Sequence, residues 1–381
     1  MKEKVSQHYV PIFYLKNFSY KHEGIQFSMF NKPSSKYIES ASLENQASEK
    51  FIYGPDGKIE ENLANFESDV AVVFSSMIKQ NCHPKYLSKE HYLILSFSIS
   101  LAGRTKQSAD EFNDMATKLV RKIAEKHPLL KNHAQNISVH YKLPAVINLG
   151  MTLEIVPLTF DLAFKLIINN STSQFITSDN PVVLYNQFFE NKNCLSQTGF
   201  ASKGLQIYLP MSPVHLLMFY DRDVYKVGGI CHKPIVVDNA DDVDNLNLLQ
   251  IINSSENVYF NEDINENYIR NLYTKSISHL SASRVFLKEY TEATDEKGIS
   301  SSLLRTSRKS IKCNLKPTFV SLTKKAKEFK LSNKAVYVRN EGIVIAHHNF
   351  LTLVKEGLYQ SNEFFQYLRD LRESKVRSVT T

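Results

Sequence analysis

The sequence predicts an α+β protein. It reads as a mixed helical and mainly antiparallel-sheet core domain over 1–297, followed by a small α+β domain over 311–381. Three observations predict this. Long apolar stripes of helical period stand beside strand pairs joined by short turns. A stretch from Thr291 to Ser310 carries Asp295-Glu296-Lys297-Gly298 and five serines, and reads as a linker over about 291–310. Charge then changes across it. Of 46 Lys+Arg and 39 Asp+Glu, Ser301–Thr381 holds 16 and 6, a balance of +10, leaving 30 and 33, or −3, for the first 300 residues. A basic segment on a near-neutral body points to a polyanionic partner such as nucleic acid or an acidic membrane surface.

Taken in order, Val10-Pro11 favours extended geometry, and Tyr14, Leu15 and Phe18 have helical spacing after it. Ile25–Phe30 alternates as a half-buried strand; Asn31–Ser35 is a turn, and Tyr37-Ile38-Glu39 begins the return. After the Gly54-Pro55-Asp56-Gly57 turn, Ile59, Leu63, Phe66, Val70, Val73 and Met77 form one helical stripe. Glu60 and Glu67 lie at its rim. A second helix runs from Ser88 to Arg104, and helical segments continue to about Leu129. Val139–Gly150 is ambiguous, and Thr159–Asn169 reads as a helix.

The central stretch Phe175-Ile176-Thr177-Ser178-Asp179-Asn180-Pro181-Val182-Val183 reads as strand, polar turn, strand. Buried strands at Gln206–Pro213 and Leu216–Tyr220 follow. Next come a helix over Asp241–Asn253, a short apolar strand at Val258–Phe260, and a helix over Asn267–Leu280. In the tail the sequence predicts a basic helix over Leu322–Leu331, a hairpin of Ala335–Val338 and Ile343–Ala346, and a helix from Ser361 to about Lys375.

Composition and motifs remove several classes. The 43% hydrophobic and 11% aromatic content is that of a folded chain. Cys82, Cys194, Cys231 and Cys313 form no CxxC pair, which argues for reduced thiols and against a zinc site. No apolar segment follows Met1-Lys2-Glu3-Lys4, and none is long enough to span a bilayer, so a cytoplasmic location is expected. With 12 glycines and neither G-x-G-x-x-G nor G-x-x-x-x-G-K, the sequence argues against a Rossmann dehydrogenase or a Walker NTPase. Ser76-Met77-Ile78-Lys79 and Ser178-Asp179-Asn180 match two motifs of serine β-lactamases, but the third is missing and Ser76 sits on a core helix.

For each remaining candidate a plain reading stands beside a chemical one. Ser178-Asp179-Asn180 before Pro181 fits an Asx-type turn; alternatively Asp179 is a base, a metal ligand or a hydroxyl-binding group in a cleft. His8, in an aromatic box, is a structural histidine or a catalyst. Arg104 is an ion-pair arginine or a phosphate-binding group, and His347-His348 alone is no metal signature. Lys309, Lys312, Lys316, Lys324, Lys325, Lys327 and Lys330, with Phe319, Phe329 and Tyr337 nearby, suit phosphate contact and base stacking, or simply a solvated surface.

Gln7-His8-Tyr9-Val10-Pro11 with Phe13-Tyr14-Leu15 and Phe18 resembles the opening signature, roughly QHYVPxFYLxxF, of a functionally unassigned family of bacterial and phage proteins. The central box of that family, FITSDNPV, is matched at Phe175–Val182. Glu67 is similar to its acidic helix end, Arg104 to its helix-closing arginine, and Leu246-Asn247 to a later helix start. The resemblance covers about residues 5–260 and implies a site made of His8, Glu67, Arg104, Asp179 and Asn180. Such a set suits phosphodiester cleavage. Carboxylates activate water or hold a divalent ion such as Mg2+, and the arginine neutralises a phosphate.

The leading expectation is therefore a nuclease-like hydrolase, in the setting of a bacterial toxin or anti-phage effector. A non-enzymatic nucleic-acid-binding or assembly protein is the alternative, and an enzyme acting on a nucleotide or other small molecule is a third, its tail a protein-docking unit. The hydrolase requires His8, Glu67 and Asp179 to share a cleft.

Overall fold

The computed structural model describes residues 5–371 apart from 193–196, 230–232, 282, 295–299, 333–335, 362 and 365. The first elements are β1 (Ser6–His8), α1 (Ile12–Leu15), β2 (Gln26–Asn31), β3 (Lys36–Ser42) and β4 (Ser48–Lys50). Four helices follow: α2 (Lys58–Gln80), α3 (Lys89–Arg104), α4 (Lys106–Lys126) and α5 (Pro144–Glu154). Their starts are written locally. Gly57, at φ 69°, takes the left-handed turn that opens α2. The hydroxyls of Ser88 and Thr105 cap α3 and α4 by accepting from His91 N and Ser108 N. Pro144 occupies the first turn of α5.

The middle of the chain builds β5 (Ala163–Asn169), β6 (Thr177–Ser178), β7 (Val183–Tyr185), β8 (Gln206–Ser212), β9 (His215–Tyr220), β10 (Tyr225–Val227) and β11 (Ile235–Val237). Then come α6 (Ala240–Asn253), β12 (Asn257–Phe260), α7 (Glu266–Ser276), β13 (Val285–Thr294), β14 (Ser300–Arg308), β15 (Val320–Leu322), α8 (Lys324–Lys327) and α9 (Glu341–Lys355). One sheet has the order β11-β5-β9-β8-β7, antiparallel except for the parallel β11–β5 pair, and another runs β3-β2-β12-β6. Three two-stranded ribbons join β1 to β4, β10 to β15 and β13 to β14. The fold is mixed α+β and mostly antiparallel, as expected.

Strand alternation divides the five-stranded sheet between two cores. Leu166, Ile207, Leu209, Leu217 and Phe219 pack with α1, α2 and α3 through Tyr14, Phe74 and Phe97. Their neighbours Ile167, Tyr208, Leu216 and Met218 pack on the other face with Tyr225, Val320, Ala326 and Tyr337. A third cluster lies between β2, β12, α6 and α7, around Phe30, Val258 and Ile269. Residues beyond 310 thus contribute to both large cores, Leu315 to the second and Phe350 to the first. Among the described residues no helix is long and apolar enough to cross a membrane.

Several expected elements differ. Thr159–Asn169, expected as a helix, contains β5; it lies inside the sheet between β9 and β11, and each face is covered by a core, Leu166 in one and Ile167 in the other, so it reads as an apolar run without alternation. Ile25–Phe30 is more buried than half, since Ser28 is as buried as Phe27 and Phe30. The expected linker 291–310 includes much of a β-hairpin, β13–β14. Its ladder is made of backbone, which serine and threonine side chains do not disclose. Lys122 and Lys126 of α4 pair with Glu289, and Arg308 with Glu111. The basic helix shrinks to the single turn α8. The expected hairpin at 335–346 is replaced by α9 over its second half, because Asn340 caps it by accepting from Ile343 N, with Glu341 in the first turn. His347 is therefore on a helix, bonded to Glu154 O at 2.8 Å. Ala335 lies outside the described residues, as does 372–375 of the last expected helix, which is helical over 366–371.

Candidate active site

The opening box is fixed from three sides. β1 pairs antiparallel with β4, placing His8 opposite Ser48. The buried Gln7 amide donates to Gly54 O at 2.9 Å and accepts from Tyr53 N at 2.8 Å, which holds β1 against the Tyr53 turn. Tyr14, fully buried, donates its hydroxyl proton to Pro210 O and accepts from Thr177 Oγ1, both at 2.7 Å. The opening box thus meets the central box inside the protein. Pro210 is tolerated inside a central strand because the ladder shifts register between Pro210 and Ser212.

On the outer side of this frame a cleft of about 310 Å³ is lined by His8, Phe13, Tyr53, Glu60, Glu67 and Ala71, among others. Of the three residues that the hydrolase reading needs in one cleft, His8 and Glu67 line this one and Asp179 does not. Glu67 Oε1 stands 2.7 Å from Nη2 of Arg104, which is 1% exposed while Glu67 is 20% exposed. Neither Nε nor Nη2 of Arg104 has a hydrogen bond of good geometry, so the attraction to Glu67 is chiefly ionic. Arg104 lies behind the cleft wall. Gly103 before it allows α3 and α5 to touch, since a Cβ there would come within 2.2 Å of Thr152 Oγ1. His8 Nε2 lies 3.0 Å from Glu44 O. A carbonyl only accepts, so Nε2 carries a proton and the neutral ring holds its lone pair on Nδ1. Burial pushes the Tyr53 hydroxyl up to about 12, against the pull of Arg104 and with the help of Glu67 and Glu60.

The central box is built differently. Asp179, 2% exposed, accepts from the backbone N–H groups of Ser255, Glu256 and Asn257 at 2.8, 2.8 and 2.9 Å. Burial pushes its carboxyl up, while those three N–H groups and Lys32 oppose the rise. Ser178 Oγ accepts from Gln250 Nε2 and Asn180 N. Asn180 accepts from Thr105 Oγ1 at 3.0 Å and donates to Asn253 O at 2.9 Å. Asn247 closes the same knot by accepting from Ile176 N. Around the end of α6, Lys32 donates to Ile251 O and Ser254 O, and Arg284 to Ile252 O, Asn253 O and Ser254 O. Burial, with Arg284 beside it, brings the Lys32 ammonium down to about 8.

His8 and Glu67 therefore share the cleft. Asp179 does not line it but clasps α6 to β12, and Asn180 lines a separate cavity of about 110 Å³ with Glu111, Arg284 and Arg308. The two sites join at the α3–α4 junction, where Arg104 reaches Glu67 and the next residue, Thr105, reaches Asn180. The expected lysines scatter. Lys309 lines the Asn180 cavity and donates to Ser281 Oγ. Lys312 offers its carbonyl to His279. Lys324, Lys325, Lys327 and Lys330 are exposed around Ala326 and Phe329, which belong to the core across the five-stranded sheet from α2. Sequence reasoning missed Tyr53, Gln7 and Tyr14, whose roles depend on partners more than 40 positions away.

For a divalent ion the cleft offers His8, Glu60 and Glu67, but among the described residues no three His, Cys, Asp or Glu side chains stand close enough to hold one. A cage of three protein ligands is therefore not formed among the described residues, and the chemistry proposed for the cleft rests on its side chains alone.

The chain belongs to a family described as a protein of unknown function (DUF4238), whose model matches residues 6–263. No curated protein and no solved structure matches it.

Proposed function

We propose that the chain is a nucleic-acid-acting hydrolase that cuts RNA by acid–base catalysis in the His8–Glu67 cleft. The observation that carries this is the pairing of a carboxylate and an imidazole on one open cleft, with a buried arginine fixing the carboxylate. One proton acceptor and one proton donor suffice when the substrate brings its own nucleophile, as RNA does in its 2′-hydroxyl. Glu67 takes the 2′-hydroxyl proton, the 2′-oxygen attacks phosphorus, and the bond from phosphorus to the 5′-oxygen breaks. Imidazolium His8 gives its Nδ1 proton to that leaving oxygen, while Nε2–H stays on Glu44 O. The products are a 2′,3′-cyclic phosphate and a 5′-hydroxyl, and proton exchange with water resets both groups. Arg104 is a positioning residue. A bacterial toxin or phage-defence role is the setting in which such an activity would act.

The test is incubation of purified protein with labelled RNA and the matching DNA strand, with and without EDTA. RNA cleavage that survives EDTA, spares DNA and falls at least 100-fold in His8→Asn and Glu67→Asp is expected. Equal cleavage by both variants refutes the assignment. Asp179, which the hydrolase reading placed beside His8 and Glu67, lies outside the cleft with its carboxylate fully hydrogen-bonded, and this favours a second reading, a non-enzymatic nucleic-acid-binding protein whose polar box is architectural. Binding without cleavage would select it.

A further inference from the structure

The cleft continues. A second cavity of about 580 Å³ adjoins it, and Phe13 and Ala71 line both. One face of α2 forms the floor throughout: Glu60, Ala64, Glu67, Ala71, Ser75 and Lys79 recur at three- and four-residue steps. From Glu60 to Lys79 that face is about 28 Å long at 1.5 Å per residue, a furrow rather than a pocket for one small molecule.

The character of the furrow changes along its length. The His8 end carries Glu60 and Glu67; the far end carries Lys16, Lys79 and His22, with Asp263 as its carboxylate. Asp263 already accepts from Gln174 Nε2 at 2.8 Å and from Asn261 Nδ2 at 3.3 Å. Phe13, half-buried at the junction, is braced edge-on by Phe74 at 5.9 Å and lies 5.4 Å from Phe97. Lys16 is also placed by the fold. Its aliphatic stem lies against Gly24, at φ +75°, where a Cβ would come within 2.8 Å of it. A braced ring between the His8–Glu67 cleft and two lysines matches a strand whose bases stack and whose phosphates trail.

We propose that this furrow binds a single-stranded nucleic acid, with one base on Phe13 and its neighbouring phosphates on Lys16 and Lys79. The direction of the strand, toward His8, rests on the reading above; the binding itself does not.

The experiment uses the full chain and a fluorescein-labelled 12-nucleotide oligo(dT), which lacks the 2′-hydroxyl and so reports binding apart from cleavage. Affinity is read by anisotropy across a salt series, beside a duplex of the same length. Lys16→Gln and Lys79→Gln, both at exposed positions, are each expected to flatten the slope of log K against log salt by about 0.7. Phe13→Leu keeps the apolar volume but removes the ring, and is expected to weaken binding about 5- to 100-fold. Unchanged slopes in both lysine variants, or a preference for the duplex, overturn the proposal. If the lysine and Phe13 effects appear while His8→Asn still cleaves RNA like the wild type, the furrow stands and the catalytic assignment falls. If His8→Asn is inactive and binding ignores Lys16, Lys79 and Phe13, the reverse holds.

Discussion

Replacing Glu67 by Gln should cost more stability than replacing Arg104 by Met, although the two form one ion pair. Arg104 is 1% exposed and has no well-aligned hydrogen bond from Nε or Nη2. Glu67→Gln leaves its guanidinium buried opposite a neutral amide, and uncompensated charges of this kind cost about 3–5 kcal/mol. Arg104→Met leaves the carboxylate instead. Glu67 is 20% exposed at the cleft, so it can turn toward water, and Met retains much of the lost volume. That loss should be nearer 1–3 kcal/mol, and the double variant should show a coupling of about 1–3 kcal/mol. Urea unfolding followed by far-UV circular dichroism measures all four chains, since the protein has no tryptophan for fluorescence. A larger loss in Arg104→Met, or coupling below about 0.5 kcal/mol, would refute the view that Glu67 is there to neutralise a buried arginine. The asymmetry also explains the use of Glu67→Asp for activity, because it keeps the charge.

The remaining predictions concern the frame. His91, 1% exposed and stacked on Phe164, is pushed down to about 4 by burial and by His83. The unfolded chain, with an ordinary value near 6.5, therefore binds the proton first. Stability of about 3 kcal/mol present at neutral pH should be lost as pH falls from 6.5 to 4, and His91→Phe should flatten that limb of a pH–stability curve. Asp179→Asn turns an amide nitrogen toward backbone donors and leaves at least one of three N–H groups without an acceptor, so chemical denaturation should show a loss of about 2–4 kcal/mol. Gly103→Ala forces a methyl into Thr152 and should lower stability by about 1–3 kcal/mol or more in thermal unfolding.

The sequence disclosed what local chemistry decides. The stripe of α2, the helix that starts at Ser88 and the turn before Lys58 depend on residues within a few positions. Glu67 and Arg104 were legible as polar residues on a helix rim and at a helix end, though their pairing was not. β5 was hidden because burial on both faces erases alternation, and a short apolar run cannot be told from a buried helix by period alone. β13–β14 was hidden because its pairing uses backbone, and Asn340-Glu341-Gly342 was misread because an asparagine that starts a turn also caps a helix.

The same limit applies to the central box, where residue type alone admits both chemistry and architecture. Its polar atoms are consumed at short range: Asp179 on three N–H groups, Asn180 on Thr105 and Asn253, Ser178 on Gln250. Yet Thr177 also meets Tyr14 of α1, and Thr105 adjoins Arg104, so the box supports the cleft walls without facing the cleft. A substitution at Asp179 can therefore abolish activity by loosening the α3–α4 junction and the base of α1. Loss of function there does not identify a catalytic group. A direct role for His8, or for Glu67 tested in the charge-keeping Glu67→Asp, predicts an altered pH–rate profile beyond what any shift in the unfolding midpoint accounts for, whereas Asp179 variants should lose activity in step with that midpoint.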